Sequence, residues 1–214
     1  MSIEDYIAAQ RENIASISKL PHFSVLGSLT DKLYERAIIL FPKQSPPLLG
    51  QLLIFSHRSF LSALTLIGQA QPDDASPINR RAIEAARLAL ALKRDPNSLK
   101  EWTAYEQRME RWEARNRGEK PKPLHPKINV PRDHPIFAEL EKQLGILSDS
   151  SVHFTPEYFG SQHWMGTESR IELRYFISDQ RAIECSLMTL IGIHASILRI
   201  FDECLDGALF ADRQ

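Results

Sequence analysis

The sequence has few cysteines and no pairing motif among them. Its 214 residues include only Cys185 and Cys204, and no Cys-x-x-Cys pair occurs, so neither a disulfide framework nor a thiolate zinc site is indicated. The two cysteines lie 19 residues apart in one predicted helix, a separation of roughly 28 Å that excludes a bridge within that helix. We therefore expect two structural thiols in a reducing compartment.

An excess of charge of either sign is also missing. The formal net charge is −1, which gives no general attraction to nucleic acid or to an anionic membrane. The N-terminus carries acidic residues early and has no apolar stretch typical of a signal peptide, and no uninterrupted apolar run reaches the ~18 residues of a membrane span. These absences predict a cytoplasmic protein without a membrane partner.

The motifs of several enzyme classes do not occur. We find no G-x-G-x-x-G or P-loop pattern for phosphates and no G-x-S-x-G of a hydrolase. His153, Glu157 and His163 do not have the spacing of common metal motifs, so we expect no metal and no cofactor. Arginine and lysine exceed acidic residues between Arg108 and Arg132, but a solvated helix face followed by a basic loop explains this better than a nucleic-acid site.

What the sequence does contain is helical periodicity. Apolar residues recur at three- and four-residue spacing, and no convincing run alternates as a strand does, so we predict one all-α domain over residues 1–214, a bundle of five to seven helices. The prolines of residues 118–134 predict an extended connecting loop within it. The predicted helices cover residues 3–18, 28–40, 46–69, 77–94, one opening at Asp95-Pro96, 135–147 after an Asp133 cap, and 169–206.

Aromatic residues follow one face of the helix that opens at Asp95. Leu99, Trp102, Tyr105 or Met109, and Trp112 recur at helical spacing. Such a stripe is typical of a core or a subunit interface rather than of a surface that stacks on a ligand.

Two histidines are predicted to point inward. His57 lies among Leu53 and Phe60 on a helical wheel, and His194 lies near the centre of the apolar stripe of the last helix. A lone buried histidine is more often a core residue than a catalyst. Both are candidates for ligand binding if several polar groups converge.

An arginine interrupts the apolar pattern of the stretch PINRRAIEAARLALALK. Arg81 projects close to Ala85 and Leu88 on the wheel, and a desolvated guanidinium without a partner is costly. We therefore expect Arg81 to be mostly buried and paired with a carboxylate, Glu84 or one from another helix, in a cluster with a histidine.

Three stretches resemble a known group of proteins. SHRSFLSALTLIG at Ser56–Gly68, NRRAIEAARLALAL at Asn79–Leu92 and LSDSSVHF at Leu147–Phe154 are similar to uncharacterised bacterial all-helical proteins that distantly resemble HEPN-like domains. The resemblance covers roughly residues 46–155. It implies a helical bundle, often dimeric, found among defence, toxin-antitoxin and RNA-processing proteins.

The resemblance departs from the ribonucleases of that superfamily in one respect. Those members use an arginine followed after four to six residues by a histidine, and no histidine of this chain has an arginine at that spacing. Arg81 and His153, with Glu84 in support, would have to meet through the fold to do similar work. The catalytic candidates are therefore Arg81, Glu84 and His153.

These observations favour a helical binding or regulatory module that acts without catalysis and forms a homodimer. The first alternative is a metal-independent, HEPN-like ribonuclease. The second is a structural assembly subunit whose interface is the aromatic stripe. The sequence leaves open which ligand or substrate is bound.

Overall fold

The structure is a computed structural model in which seven helices are described. It describes residues 2–95, 105–120, 134–151, 165–167, 170–172, 176–177 and 179–210. The helices are α1 (Ile3–Ile17), α2 (Pro21–Ile39), α3 (Pro47–Gly68), α4 (Pro72–Arg94), α5 (Tyr105–Asn116), α6 (Pro135–Ser151) and α7 (Gln180–Cys204).

The predicted all-α bundle is confirmed. Helices α3 and α4 are consecutive and pack against each other along their length, and α7 packs on both of them and also on α2 and α6. One continuous core of mainly leucine, isoleucine, alanine and phenylalanine side chains joins these helices. Burial of that apolar surface is the main force that holds amphipathic helices of this length together.

Proline signals explain which helix starts were predicted wrongly. Pro21 was expected to end α1, but it occupies the first turn of α2 and so α2 begins seven residues before the predicted Ser28. In α4, Pro72 opens the helix and Pro77 lies inside it. A proline fits the first turn of a helix as well as it ends one, so sequence alone does not separate the two roles.

The last helix was predicted to begin too early in the sequence. Residues 165–167 and 170–172 form a short antiparallel pair of strands, β1 and β2, where helix was expected from Ser169. Helix α7 instead begins after Asp179, whose carboxylate accepts a hydrogen bond from the Arg181 backbone N–H at 2.9 Å. An aspartate in this position satisfies an N–H group that has no partner within the helix.

One helix in the described part of the chain is long and apolar enough to cross a membrane. This is α7, with a mean hydropathy of 1.5 in its most apolar window, of which 44% is buried inside the protein. A helix in the centre of a folded core passes the same test of length and composition. The absence of a membrane partner therefore stays a prediction.

Helix α7 carries both cysteines, as predicted, and they differ in environment. Cys204 is buried and Cys185 is exposed. Burial raises the pKa of the Cys204 thiol to about 12, so it stays protonated and inert. Cys204 is the structural thiol that was expected, whereas Cys185 is open to solvent.

The close approach of α2 to α3 fixes the positions of two polar residues, one on each helix. A Cβ atom on Gly27 would lie 3.1 Å from a Leu64 methyl group, so the helices come closer there than a larger residue allows. Because α2 and α3 run antiparallel, this contact brings the next turns of α2 beside the middle of α3. The pair that results is Asp31 with His57.

Candidate functional site

Polar side chains from four helices meet in the middle of the bundle. We call this set the polar network; it comprises Asp31 and Tyr34 of α2, His57 of α3, Asn79 of α4 and His194 of α7. Tyr34 and His194 are fully buried, and Asn79 is 5% exposed. Four helices therefore place hydrogen-bonding groups in a core that is otherwise apolar.

His194 is held at both ring nitrogens. Its Nδ1 lies 2.7 Å from the Tyr34 hydroxyl oxygen, and its Nε2 lies 3.4 Å from Oδ1 of Asn79. Because Oδ1 only accepts, the ring hydrogen belongs on Nε2, and Nδ1 then accepts from the Tyr34 hydroxyl. Both ring nitrogens of His194 and the Tyr34 hydroxyl are thereby paired as neutral groups.

Aromatic rings enclose this centre. Tyr34 stacks on His57 with 5.0 Å between ring centroids, and the edge of His194 meets Phe60 at 5.2 Å. Stacked and edge-to-face contacts of this kind stabilise a core beyond simple area burial. The rings fix the orientation of both histidines.

The outer end of the polar network reaches solvent. His57 Nε2 lies 2.7 Å from Oδ1 of Asp31, and the side chains are 14% and 36% exposed, respectively. The Asp31 carboxylate therefore accepts from Nε2. Among the described residues none forms a hydrogen bond to the other ring nitrogen, Nδ1. This pair is the part of the network that a ligand can approach.

The inner groups do not titrate near neutral pH. Burial, with a smaller effect of the nearby His57, lowers the pKa of His194 to about 3. Burial also raises the pKa of Tyr34 well above its usual value. A histidine and a tyrosine that stay neutral between these limits are poorly placed for acid or base catalysis at cellular pH.

The expectation that Arg81 is buried and paired was wrong. Arg81 is exposed, and Glu84 is also exposed and pairs with Arg80, whose Nε lies 3.2 Å from Oε1 of Glu84. The wheel placed Arg81 beside Leu88 correctly, but this side of α4 is covered only from Ala85 onward. A wheel gives the direction of a side chain and does not show where the neighbouring chain begins to cover it.

The two histidines predicted to point inward do so. His194 is fully buried and His57 is mostly buried, and they belong to one network. His153 lies outside the described residues, as do Glu157 and His163. In the described part of the chain no group of three or more His, Cys, Asp or Glu side chains is placed to hold a metal ion.

Sequence reasoning missed three members of the network. Asp31, Tyr34 and Asn79 were not among the predicted site residues. A signal was present for Asn79, which lies three and seven residues before the fully buried Ala82 and Ala86. A polar amide on a row of buried alanines must find a partner in the core.

The predicted aromatic stripe is described only in part. Trp112 on α5 is 60% exposed, which excludes it from the core, and Leu99 and Trp102 lie outside the described residues. Pro96, where the predicted helix begins after Asp95, and most of the proline-rich loop, residues 121–133, also lie outside them.

A further histidine has a structural role. His134 is 7% exposed, and its Nε2 lies 2.7 Å from Oε2 of Glu203 on α7. Its Nδ1 accepts a hydrogen bond from the Phe137 backbone N–H at 3.3 Å. His134 thus caps the first turn of α6 and ties it to α7. Asp133, the predicted cap, lies outside the described residues.

The fold and the polar network define the protein as an all-α helical bundle with a hydrogen-bonded polar centre. The chain matches no protein family, and no curated protein or solved structure is similar enough to be matched to it. Its function has to be argued from its own residues.

Proposed function

We propose that the chain is a helical binding or regulatory module that acts without catalysis. The observation that supports this is the pairing of the buried His194, whose two ring nitrogens bond Tyr34 and Asn79 in the core. A network that is paired in this way specifies how helices pack, because each polar group is costly unless all its partners are in place. In this proposal the surface of the bundle binds, and the network holds that surface in one shape.

The chemistry of the network supports the same proposal. His194 has a pKa of about 3 and no exposed atoms, so it offers neither a proton donor nor a strong base to a substrate at neutral pH. Only Asp31 and His57 are within reach of solvent. This pair provides a carboxylate and a ring nitrogen for recognition of a polar group on a ligand.

A stability measurement tests this proposal. Tyr34→Phe leaves Nδ1 of buried His194 without a donor, and we expect a loss of ~1–3 kcal/mol in the free energy of unfolding. Residues selected for activity behave differently, because their replacement by an apolar residue is often neutral or stabilising. Urea unfolding of Tyr34→Phe that shows equal or greater stability than the parent would contradict the structural role.

Tyr6→Phe is the matched control. Tyr6 is only partly buried, and its hydroxyl accepts from Nε2 of Gln71 at 2.6 Å near the surface. Water replaces such a partner, so we expect a smaller loss of stability than for Tyr34→Phe. Equal losses in both variants would mean that the hydroxyl of Tyr34 has no special place in the core.

The homodimeric, cytoplasmic and HEPN-like properties expected from the sequence belong to the same proposal. The ribonuclease alternative predicts cleavage of single-stranded RNA that depends on Arg81. Arg81 is exposed, which leaves it accessible to a phosphate. We expect no cleavage of a labelled RNA by the purified chain. Cleavage that Arg81→Ala abolishes and Arg80→Ala retains would replace our proposal by the alternative.

The exposure of Trp112 favours the second alternative, a structural assembly subunit. A tryptophan that is 60% exposed is typical of a surface that another protein covers. Assembly through α5 predicts that Trp112→Ala lowers the molecular mass in solution. An unchanged mass would remove this alternative.

A further inference from the structure

The outward face of α7 has an unusual composition for a helix surface. Helix α7 packs on α2, α3, α4 and α6 with its inward side. Its exposed residues recur every three or four positions and so form one stripe along the helix. The stripe consists of Arg181, Cys185, Met188, Gly192, Ala195 and Arg199, and Gln180, Thr189 and Glu203 are exposed beside it.

The middle of this stripe carries no charge. The 14 residues from Cys185 to Leu198 include no Asp, Glu, Lys or Arg, although Met188 is 56% exposed. A Cβ atom on Gly192 would meet nothing within 4 Å. The outer face of a helix in a monomeric protein ordinarily carries charged residues. The uncharged composition of this face is instead typical of a helix surface that another molecule covers.

Charges return at both ends of the stripe. Arg181 and Glu184 precede the uncharged residues, and Arg199 and Glu203 follow them. On a helical wheel all four project within about 60° of the centre of the stripe. Neither guanidinium forms an ion pair with a carboxylate of the described residues, whereas Lys93 and Arg80 elsewhere do.

The order of these charges is self-complementary about Gly192. Arg181 and Glu203 each lie 11 residues from Gly192, and Arg199 and Glu184 lie seven and eight residues from it. Two copies of α7 that cross antiparallel at Gly192 therefore bring each arginine opposite a glutamate of the other copy. A parallel arrangement would bring arginine opposite arginine.

We propose that the outward face of α7 is a self-association surface, where a second copy of this chain packs antiparallel about a two-fold axis near Gly192. Small residues at the crossing let two helices approach to about 8 Å. Glu203 uses Oε2 for His134, and since no described residue bonds its other oxygen, that oxygen can accept from the arginine of the second copy. The inference rests on the homodimer of the proposed function and names its interface, and it requires neither the polar network nor the absence of catalysis.

Gly192→Lys tests the proposal without endangering the fold. The added side chain meets no neighbouring atom within the protomer, and lysine favours a helix interior over glycine by up to about 1 kcal/mol. We expect the parent to have twice its 24.4 kDa monomer mass by light scattering and the variant to dissociate at least ~10-fold more readily on dilution. A melting temperature no lower than that of the dissociated parent shows that the variant is folded.

Exchanging the charges gives the second test. Arg199→Glu places glutamate opposite Glu184 and should weaken the dimer, and adding Glu184→Arg to the same chain restores opposite charges and should recover it. A parent that is monomeric at every concentration would overturn the proposal. A dimer that survives Gly192→Lys would do the same, because the interface would then lie elsewhere.

A lipid membrane is the other partner that an uncharged helix face is suited to bind. Sedimentation with neutral phosphatidylcholine vesicles distinguishes it. Vesicle binding by a monomeric parent, lost in Gly192→Lys, would overturn the dimer and assign the face to a membrane. The stability of Tyr34→Phe tests the role of the polar network separately. A monomeric parent would therefore remove the homodimer from the proposed function and leave the role of the network standing.

Discussion

At the scale of single residues, His194 is the group whose charge state the fold controls most strongly. Its side chain is fully buried, and burial lowers its pKa from 6.5 to about 3. The unfolded chain therefore binds a proton in a pH range where the folded chain does not. That difference makes folding stability depend on pH.

We predict that stability falls as the pH is lowered from 6.5 toward 3. In this window the unfolded state holds the extra proton, so acid favours unfolding by up to about 1.4 kcal/mol per pH unit from this residue. Urea unfolding between pH 7 and pH 5 measures the effect before most carboxylates titrate. His194→Gln should be less stable but should have a shallower slope; an equal slope would show that His194 already titrates normally in the fold.

Two arginines of α4 differ in burial, and the sequence-based prediction chose the wrong one as buried. Arg87, and not Arg81, is the half-buried arginine. Its guanidinium lies 6.0 Å from the centre of the Phe137 ring and 3.8 Å from Oε1 of Glu141, while its buried Nε has no hydrogen-bond partner among the described residues. Wheel positions alone favoured Arg81 because they contain no information about α6.

We predict that Arg87→Ala lowers stability by about 1–2 kcal/mol, since it removes a half-buried side chain whose guanidinium lies over the Phe137 ring. Arg81→Ala should change it by no more than about 0.5 kcal/mol. Thermal unfolding followed by circular dichroism measures both. A larger loss for Arg81→Ala would restore the buried position that was first expected.

At the scale of secondary structure, prolines and glycines were sufficient to predict the ends of some helices and were ambiguous for others. Helix α3 was predicted within one residue at each end, because Pro46-Pro47 and Gly68 mark both ends. The starts of α2 and α4 were predicted too late. Pro21 was expected to end α1 but opens α2, and in α4 the start was assigned to Pro77 although Pro72 opens the helix. The cap of α6 depends on a contact with α7 that lies 69 residues away along the chain, so no local pattern encodes it.

We predict that His134→Ala frays the first turn of α6. The variant removes one of the two acceptors of the Phe137 N–H, which also donates to the His134 carbonyl at 2.9 Å, and it removes the contact with Glu203. We expect a combined loss of about 1 kcal/mol. Hydrogen exchange of the backbone amides of Phe137 and Ala138, which are hydrogen-bonded to His134, should accelerate, while α3 stays protected. His22→Ala, at an exposed position in α2, should leave exchange unchanged, and acceleration in both variants would show that the effect is not specific to the cap.

At the scale of the whole molecule, the polar network joins helices that are distant in sequence. Tyr34 and His194 are 160 residues apart, and His194 and Asn79 are 115 apart. The direction of His57 and His194 toward the core was predictable, because the helical period determines it. Which atoms meet was not, since that depends on the relative rotation and height of four packed helices.

This connection predicts a global response to a local change. Tyr34→Phe disturbs a contact shared by α2, α3, α4 and α7, so it should accelerate hydrogen exchange of their most protected amides together, by about 5- to 150-fold for a loss of ~1–3 kcal/mol. His134→Ala acts on one helix end and provides the contrast, with acceleration confined mainly to α6. If Tyr34→Phe accelerated exchange only in α2, the network would not couple the helices, and the packing role on which we base the proposed function would fail.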